Sequence, residues 1–144
     1  MKYLVLVSHG GFAAGLKTSL AMFAADKIDQ VIAVGLEDGK SVDDFAADFR
    51  EAVSVVQDAD SVVLLADIVG GSPLTTACGV LSDLGKLDSA LVLGGMNLPM
   101  ALSSLVMKDS LTGADFINAV LPEAQAALQE FKVADDGEEA EDDI

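Results

Sequence analysis

The stretch Val5-Leu6-Val7-Ser8-His9-Gly10-Gly11 is an apolar run that stops at the only histidine of the chain, followed by two glycines. A short run rich in Leu and Val, without apolar–polar alternation, has the pattern of a strand buried on both faces of a sheet. Lys2 to Ser8 therefore reads as a strand that Gly10-Gly11 breaks. Phe12 to Ala24 follows, with Phe12, Leu16, Leu20 and Phe23 at helical spacing. The chain thus opens as strand, tight turn, helix.

The same unit recurs outward from that stretch. Gln30 to Leu36 is a second apolar strand, closed by the acidic turn Glu37-Asp38-Gly39. Ser41 with Asp44 then makes a start resembling a capping box for a helix whose apolar stripe is Val42, Phe45, Phe49, Val53 and Val56. Ser61 to Ala66 is a third strand, ending in Asp67. After it, Gly70-Gly71-Ser72-Pro73 leads into a helix from about Leu74 to Leu84, with Ser72 as N-cap and Pro73 as first helical residue. Ser89 to Leu93 is a fourth strand, followed by Gly94-Gly95 and a helix from about Pro99 to Met107. A last helix is expected from Thr112 to about Phe131, with Pro122 kinking or restarting it. Strands alternating with helices at this spacing predict an α/β fold: a mainly parallel central sheet with helices on both faces, in three layers. The right-handed crossover rule aligns the C-terminal ends of the strands along one edge.

Composition narrows the possible functions. A chain of 144 residues fits one domain, assigned to residues 1–133, with 134–144 as an acidic disordered tail. Hydrophobic residues make up 51%, yet no run approaches the roughly 20 residues that span a bilayer, and no secretory leader is read at the N-terminus. Cys78 is the single cysteine, so no intramolecular disulfide is possible, which suits a cytoplasmic location. The net charge is −16; without the seven carboxylates of the tail, 17 acids still face 8 bases, or −9. Such a balance argues against nucleic acid as a partner, because phosphate backbones demand clustered Lys and Arg.

The chemistry collects at the predicted edge, where folds of this class bind ligands. His9 follows the first strand, Asp67 the third, and Gly94-Gly95 the fourth. The turn after the second strand is read as ordinary and left outside the site. A metal centre would need further histidine or cysteine ligands, which the chain lacks. Ser72 in Gly-Gly-Ser-Pro lacks the strand-to-helix elbow of a hydrolase nucleophile. A carboxylate bonded to one ring nitrogen would fix the tautomer of His9 and leave the other nitrogen nucleophilic. Asp67 can play that part, while Gly70, Gly71 and Ser72 offer the free N–H groups and hydroxyl of a helix start that binds phosphoryl oxygens. With no Walker lysine and no metal cluster, these residues point to transient phosphorylation of His9.

Ser8-His9-Gly10, Asp67-Ile68-Val69-Gly70-Gly71-Ser72-Pro73-Leu74 and Gly95-Met96-Asn97-Leu98-Pro99-Met100, in that order, resemble the IIA domains of the mannose family of the bacterial sugar phosphotransferase system (PTS) over residues 1 to 131. The resemblance implies that His9 takes a phosphoryl group from the phosphorylated carrier protein HPr, most readily on Nε2. It then passes the group to a IIB domain, which phosphorylates sugar entering through the membrane permease subunits. Asp67 would bond Nδ1–H and Ser72 would lie near the phosphoryl group. No cofactor and no metal are implied. A homodimer is, with a C-terminal strand exchanged between subunits; Phe131-Lys132-Val133 is the candidate. The sequence departs from the family where Gly11-Phe12 replaces an aromatic residue after His-Gly, and where Val69 replaces a Trp before Gly-Gly-Ser-Pro. Two other readings fit the same edge: a phosphocarrier subunit for dihydroxyacetone kinase, and a flavodoxin-like small-ligand or regulatory module.

Overall fold

The computed structural model describes residues 1–134; all but the first residue of the expected acidic tail, 134–144, lies outside them. Four strands, β1 (Lys2–His9), β2 (Val31–Leu36), β3 (Ser61–Ala66) and β4 (Leu91–Gly94), form one parallel sheet in the order β2-β1-β3-β4. Five helices accompany them: α1 (Phe12–Phe23), α2 (Val42–Ala52), α3 (Ser72–Asp83), α4 (Leu98–Met107) and α5 (Gly113–Ala126). Alternate residues of the central strands face opposite layers. Leu4, Leu6, Val63 and Leu65 pack with α1, α4 and α5, while Val5, Val7, Leu64 and Ala66 pack with α2 and α3. This is the three-layer α/β/α arrangement expected from the apolar runs.

The chain leaves β1 toward β2 on one side, then returns across β1 to β3 and β4 on the other. Right-handed crossovers in opposite directions put α1 on one face and α2 and α3 on the other. The loops after β1 and β3 therefore diverge, opening a crevice at the carboxyl ends of the two central strands.

Several local expectations shift. On α1 the buried residues are Ala13, Leu16 and Leu20, continued by Ala24, whereas Phe12 and Phe23 are 49% and 40% exposed. The alanines let the helix lie close to the sheet and turn both phenylalanines to its margins. Helix α2 keeps Phe45 and Phe49 buried, their rings stacked at 6.3 Å, and each such ring stabilises the layer by roughly 2–3 kcal/mol. Val53 is buried with them in a short 3-10 turn, but Val42 is exposed and Val56 half-buried. Strand β4 begins only at Leu91, because Ala90 N–H closes a turn onto Leu87 C=O at 3.0 Å. Pro122 does not restart α5, which runs unbroken through it; it and Asn118, whose carbonyl loses its donor, both lie on the exposed side of the helix, open to water. The helix ends at Ala126 rather than near Phe131. Beyond it residues 128–134 have no regular structure, and Leu128, Phe131 and Val133 are exposed. The proposed exchange strand is thus not a strand within one subunit.

Candidate functional site

Strand β1 carries His9 out of the sheet at its last residue, and β3 delivers Asp67 one residue beyond its end. The parallel register pairs Val7 with Ala66, so Asp67 has to reach only one step further to meet His9. Its Oδ2 accepts hydrogen bonds from both the backbone N–H and the ring Nδ1 of His9, at 2.9 and 2.8 Å. Oδ1 accepts from Ile68 N–H at 2.9 Å. Partial burial pushes the Asp67 carboxyl up, but these three donors together outweigh it and hold the group below its ordinary value. An ionised carboxylate can only accept, so Nδ1 carries the proton. Nε2 then keeps its lone pair in the neutral ring, and the side chain is 49% exposed against 15% for Asp67. A fixed, accessible imidazole of this kind can act as a nucleophile toward an electrophile brought from solution.

The start of α3 borders the ring. Gly70 takes φ +90°, the left-handed region. A Cβ on Gly71 would lie 2.9 Å from Cε1 of His9, so only glycine lets the loop run this close to the imidazole. The helix begins one residue earlier than expected. Gly71, extended at φ −90° and ψ 165°, is the N-cap, and its carbonyl accepts from Thr75 N–H at 3.2 Å. Ser72 is therefore the first helical residue and makes no side-chain cap. Its exposed hydroxyl and the N–H groups ahead of the first helical bond are left for a ligand.

Two supports were not read from sequence. Ser8, wholly buried, accepts the Ala13 N–H through Oγ at 2.7 Å and so caps the first turn of α1, whose own N-cap, Gly11, has no side chain. The Gly94–Pro99 segment makes no hydrogen bond to His9; it braces the neighbouring structure instead. Met96 N–H bonds Ala66 C=O at 2.9 Å, and Asn97 both caps α4, accepting from Met100 N–H at 2.8 Å, and donates to Ala124 C=O of α5 at 3.2 Å. A polar residue in a helix-start pattern could have flagged the cap of α4. The tie to α5 depends on tertiary placement and left no trace in the sequence.

Among the described residues no group of three or more His, Cys, Asp or Glu could hold a metal ion, and no helix is long and apolar enough to cross a membrane.

Comparison with known proteins identifies the family and the fold. Residues 3–121 match the family described as PTS system fructose IIA component (EIIA-man). The fructose-specific EIIA component of Bacillus subtilis is 26% identical over 126 residues, spanning 88% of this chain and 84% of the relative. The structure superposes on a PTS IIA protein associated with the fucose utilization operon of Streptococcus pneumoniae with a TM-score of 0.74 and 29% identity, over 90% and 92% of the two chains. It shares the fold of phosphotransferase system component EIIA from Streptococcus agalactiae, with a TM-score of 0.75 and 21% identity over 90% and 97% of the two chains. With a family match over most of its length, and the family's fold around it, the chain belongs to the IIA components of the sugar phosphotransferase system.

Proposed function

We propose that His9 is the phosphoryl carrier of this IIA component, receiving the group from phospho-HPr and delivering it to a IIB domain for sugar uptake through the membrane permease. The observation that carries the reading is the pair of hydrogen bonds that Asp67 Oδ2 accepts from the backbone N–H and ring Nδ1 of His9, which leaves Nε2 free on a half-exposed side chain. Nε2 attacks phosphorus, the bond from phosphorus to the donor histidine breaks, and the donor nitrogen keeps the electron pair. The reverse sequence onto the acceptor restores His9. Asp67 holds the tautomer and offsets the positive charge that the ring gains. Gly70, Gly71 and Ser72 receive the phosphoryl oxygens at the start of α3.

Exposed apolar residues flank His9 on both loops: Phe12 on one side, Ile68 and Val69 on the other. Such a rim supports brief contact with successive protein partners. The same argument favours a relay over a flavodoxin-like ligand module. A cytoplasmic location follows from the relay itself, and a homodimer is expected from family membership. Sugar choice belongs to the membrane subunits.

The test is intact-mass measurement after incubation with phosphoenolpyruvate, enzyme I and HPr. One acid-labile phosphoryl group is expected on the wild-type chain and none on His9→Ala. Failure of the wild-type chain to gain mass with competent donors would overturn the relay.

A further inference from the structure

The turn that closes β2 is not an ordinary acidic turn remote from the site. Gly10 N–H bonds Leu36 C=O at 2.8 Å, and Gly35 lies so close to the Gly10 carbonyl that a Cβ there would fall 2.1 Å from the oxygen. The His9–Gly10 corner and the end of β2 are therefore locked together. Between them opens a cleft of about 300 Å³ bordered by His9, Gly10, Glu37, Asp38 and Lys40. Lys40 is the only Lys or Arg on this cleft, in a chain with 8 such residues in all. Its backbone is set by a tight turn, Lys40 N–H to Glu37 C=O at 2.9 Å, and its ammonium is paired with Asp48 of α2.

A phosphoryl group on His9 would bring a charge of about −1.5 to −2 to a cleft that already holds Glu37 and Asp38, with Asp67 on the other side of the ring. We propose that Lys40 is a positioning residue for phospho-His9: its ammonium exchanges the Asp48 carboxylate for the phosphoryl oxygens and so sets how tightly the group is held before transfer. This rests on the assignment of His9 as the carrier. Asp48, whose side chain is 45% exposed, can return to water when the ammonium leaves. Lys40 and Asp48 thus form a counter-charge that engages only when the group is present. Because the phosphoryl group meets one cation rather than a cage of them, it stays easy to pass on.

The experiment reads the phosphoryl group directly. Wild-type chain, Lys40→Gln, Lys40→Arg, Asp48→Asn and the double variant are phosphorylated on His9 with phosphoramidate; ammonia leaves as the Nε2–phosphorus bond forms. Phosphorus NMR then follows the second ionisation of the phosphoryl group. A nearby ammonium favours the dianion, so Lys40→Gln is expected to weaken that ionisation by about three- to fivefold, the effect of one exposed ion pair. Lys40→Arg restores it. Asp48→Asn, which releases the ammonium from its competitor, strengthens it, and this gain shrinks in the double variant. An ionisation unmoved by Lys40→Gln, or an Asp48→Asn effect that is undiminished without Lys40, overturns the proposal. The chemical donor keeps the two ideas apart: if phospho-HPr fails to label His9 while the chemically labelled chain still responds to Lys40, the relay falls and the Lys40 assignment stands.

Discussion

Gly71→Ala isolates the contact between the helix start and the imidazole. The backbone of Gly71, φ −90° and ψ 165°, is open to any residue, so alanine brings no conformational strain. It brings a methyl group 2.9 Å from His9 Cε1 and 3.3 Å from two side-chain carbons of Ile68. Ordinary carbon contacts begin near 3.5 Å, so the ring must retreat by roughly 0.5–1 Å. The 2.8 Å bond from Nδ1 to Asp67 would then stretch past the range of a good hydrogen bond. His9 is half-exposed, and water can replace part of what is lost, which limits the destabilisation to about 1 kcal/mol or less. Transfer is more sensitive, since a 1 Å misplacement of a reacting group costs on the order of 100-fold in rate. Gly71→Ala is therefore expected to slow single-turnover phosphorylation of His9 by about 10- to 100-fold, measured by quenched-flow mass spectrometry, with a melting temperature within a few degrees of wild type. A variant that transfers within about twofold of the wild-type rate would refute the idea that this glycine sets the ring. So would a variant whose lost activity matched a lost fold.

Two further outcomes follow from the supports of the site. Ser8→Ala leaves the Ala13 N–H buried without a partner, and should cost about 1–2 kcal/mol in urea denaturation, with faster hydrogen exchange at the Ala13 amide than elsewhere in α1. The carboxyl of Asp67 is held below its ordinary value of 3.8 in the folded chain. Its stabilising contribution is therefore whole above pH 3.8 and disappears as the pH falls through the lower folded value. Asp67→Asn should remove that segment of the stability–pH curve while leaving stability near neutral pH lower than wild type; identical acid limbs for the two proteins would contradict the bonding described.

Much of the fold was legible because buried parallel strands leave a distinctive trace. Their two covered faces produce continuous apolar runs, and β1 and β3 are buried through most of their length. His9 and Asp67 were legible for a different reason, as singular polar residues placed where those runs stop. What escaped depends on neighbours far away in sequence. The buried face of α1 is chosen by how closely the helix can approach the sheet, which turned on Ala13 and Ala24 rather than on the larger phenylalanines. Lys108 is fully buried at the end of α4, where its ammonium meets Gln30 and Asp109; no local pattern distinguishes it from a solvated lysine. The β2 turn, dismissed as an ordinary acidic connection, borders the His9 cleft only because β2 lies beside β1 and Gly35 admits the Gly10 carbonyl.

The meeting of His9 and Asp67, 58 residues apart in sequence, rests in the end on strand register. Leu4 pairs with Val63 and Leu6 with Leu65 toward one layer, while Val5 pairs with Leu64 and Val7 with Ala66 toward the other. A slip of one residue would turn each apolar set of β3 to the opposite layer and also move Asp67 by about 3.3 Å along the strand. That shift exceeds the slack in two bonds of 2.9 and 2.8 Å. Both core layers therefore guard the geometry of the site, although none of their side chains takes part in the chemistry. Substitutions deep in β1 or β3 that loosen register should consequently disturb the ring of His9 before they unfold the chain.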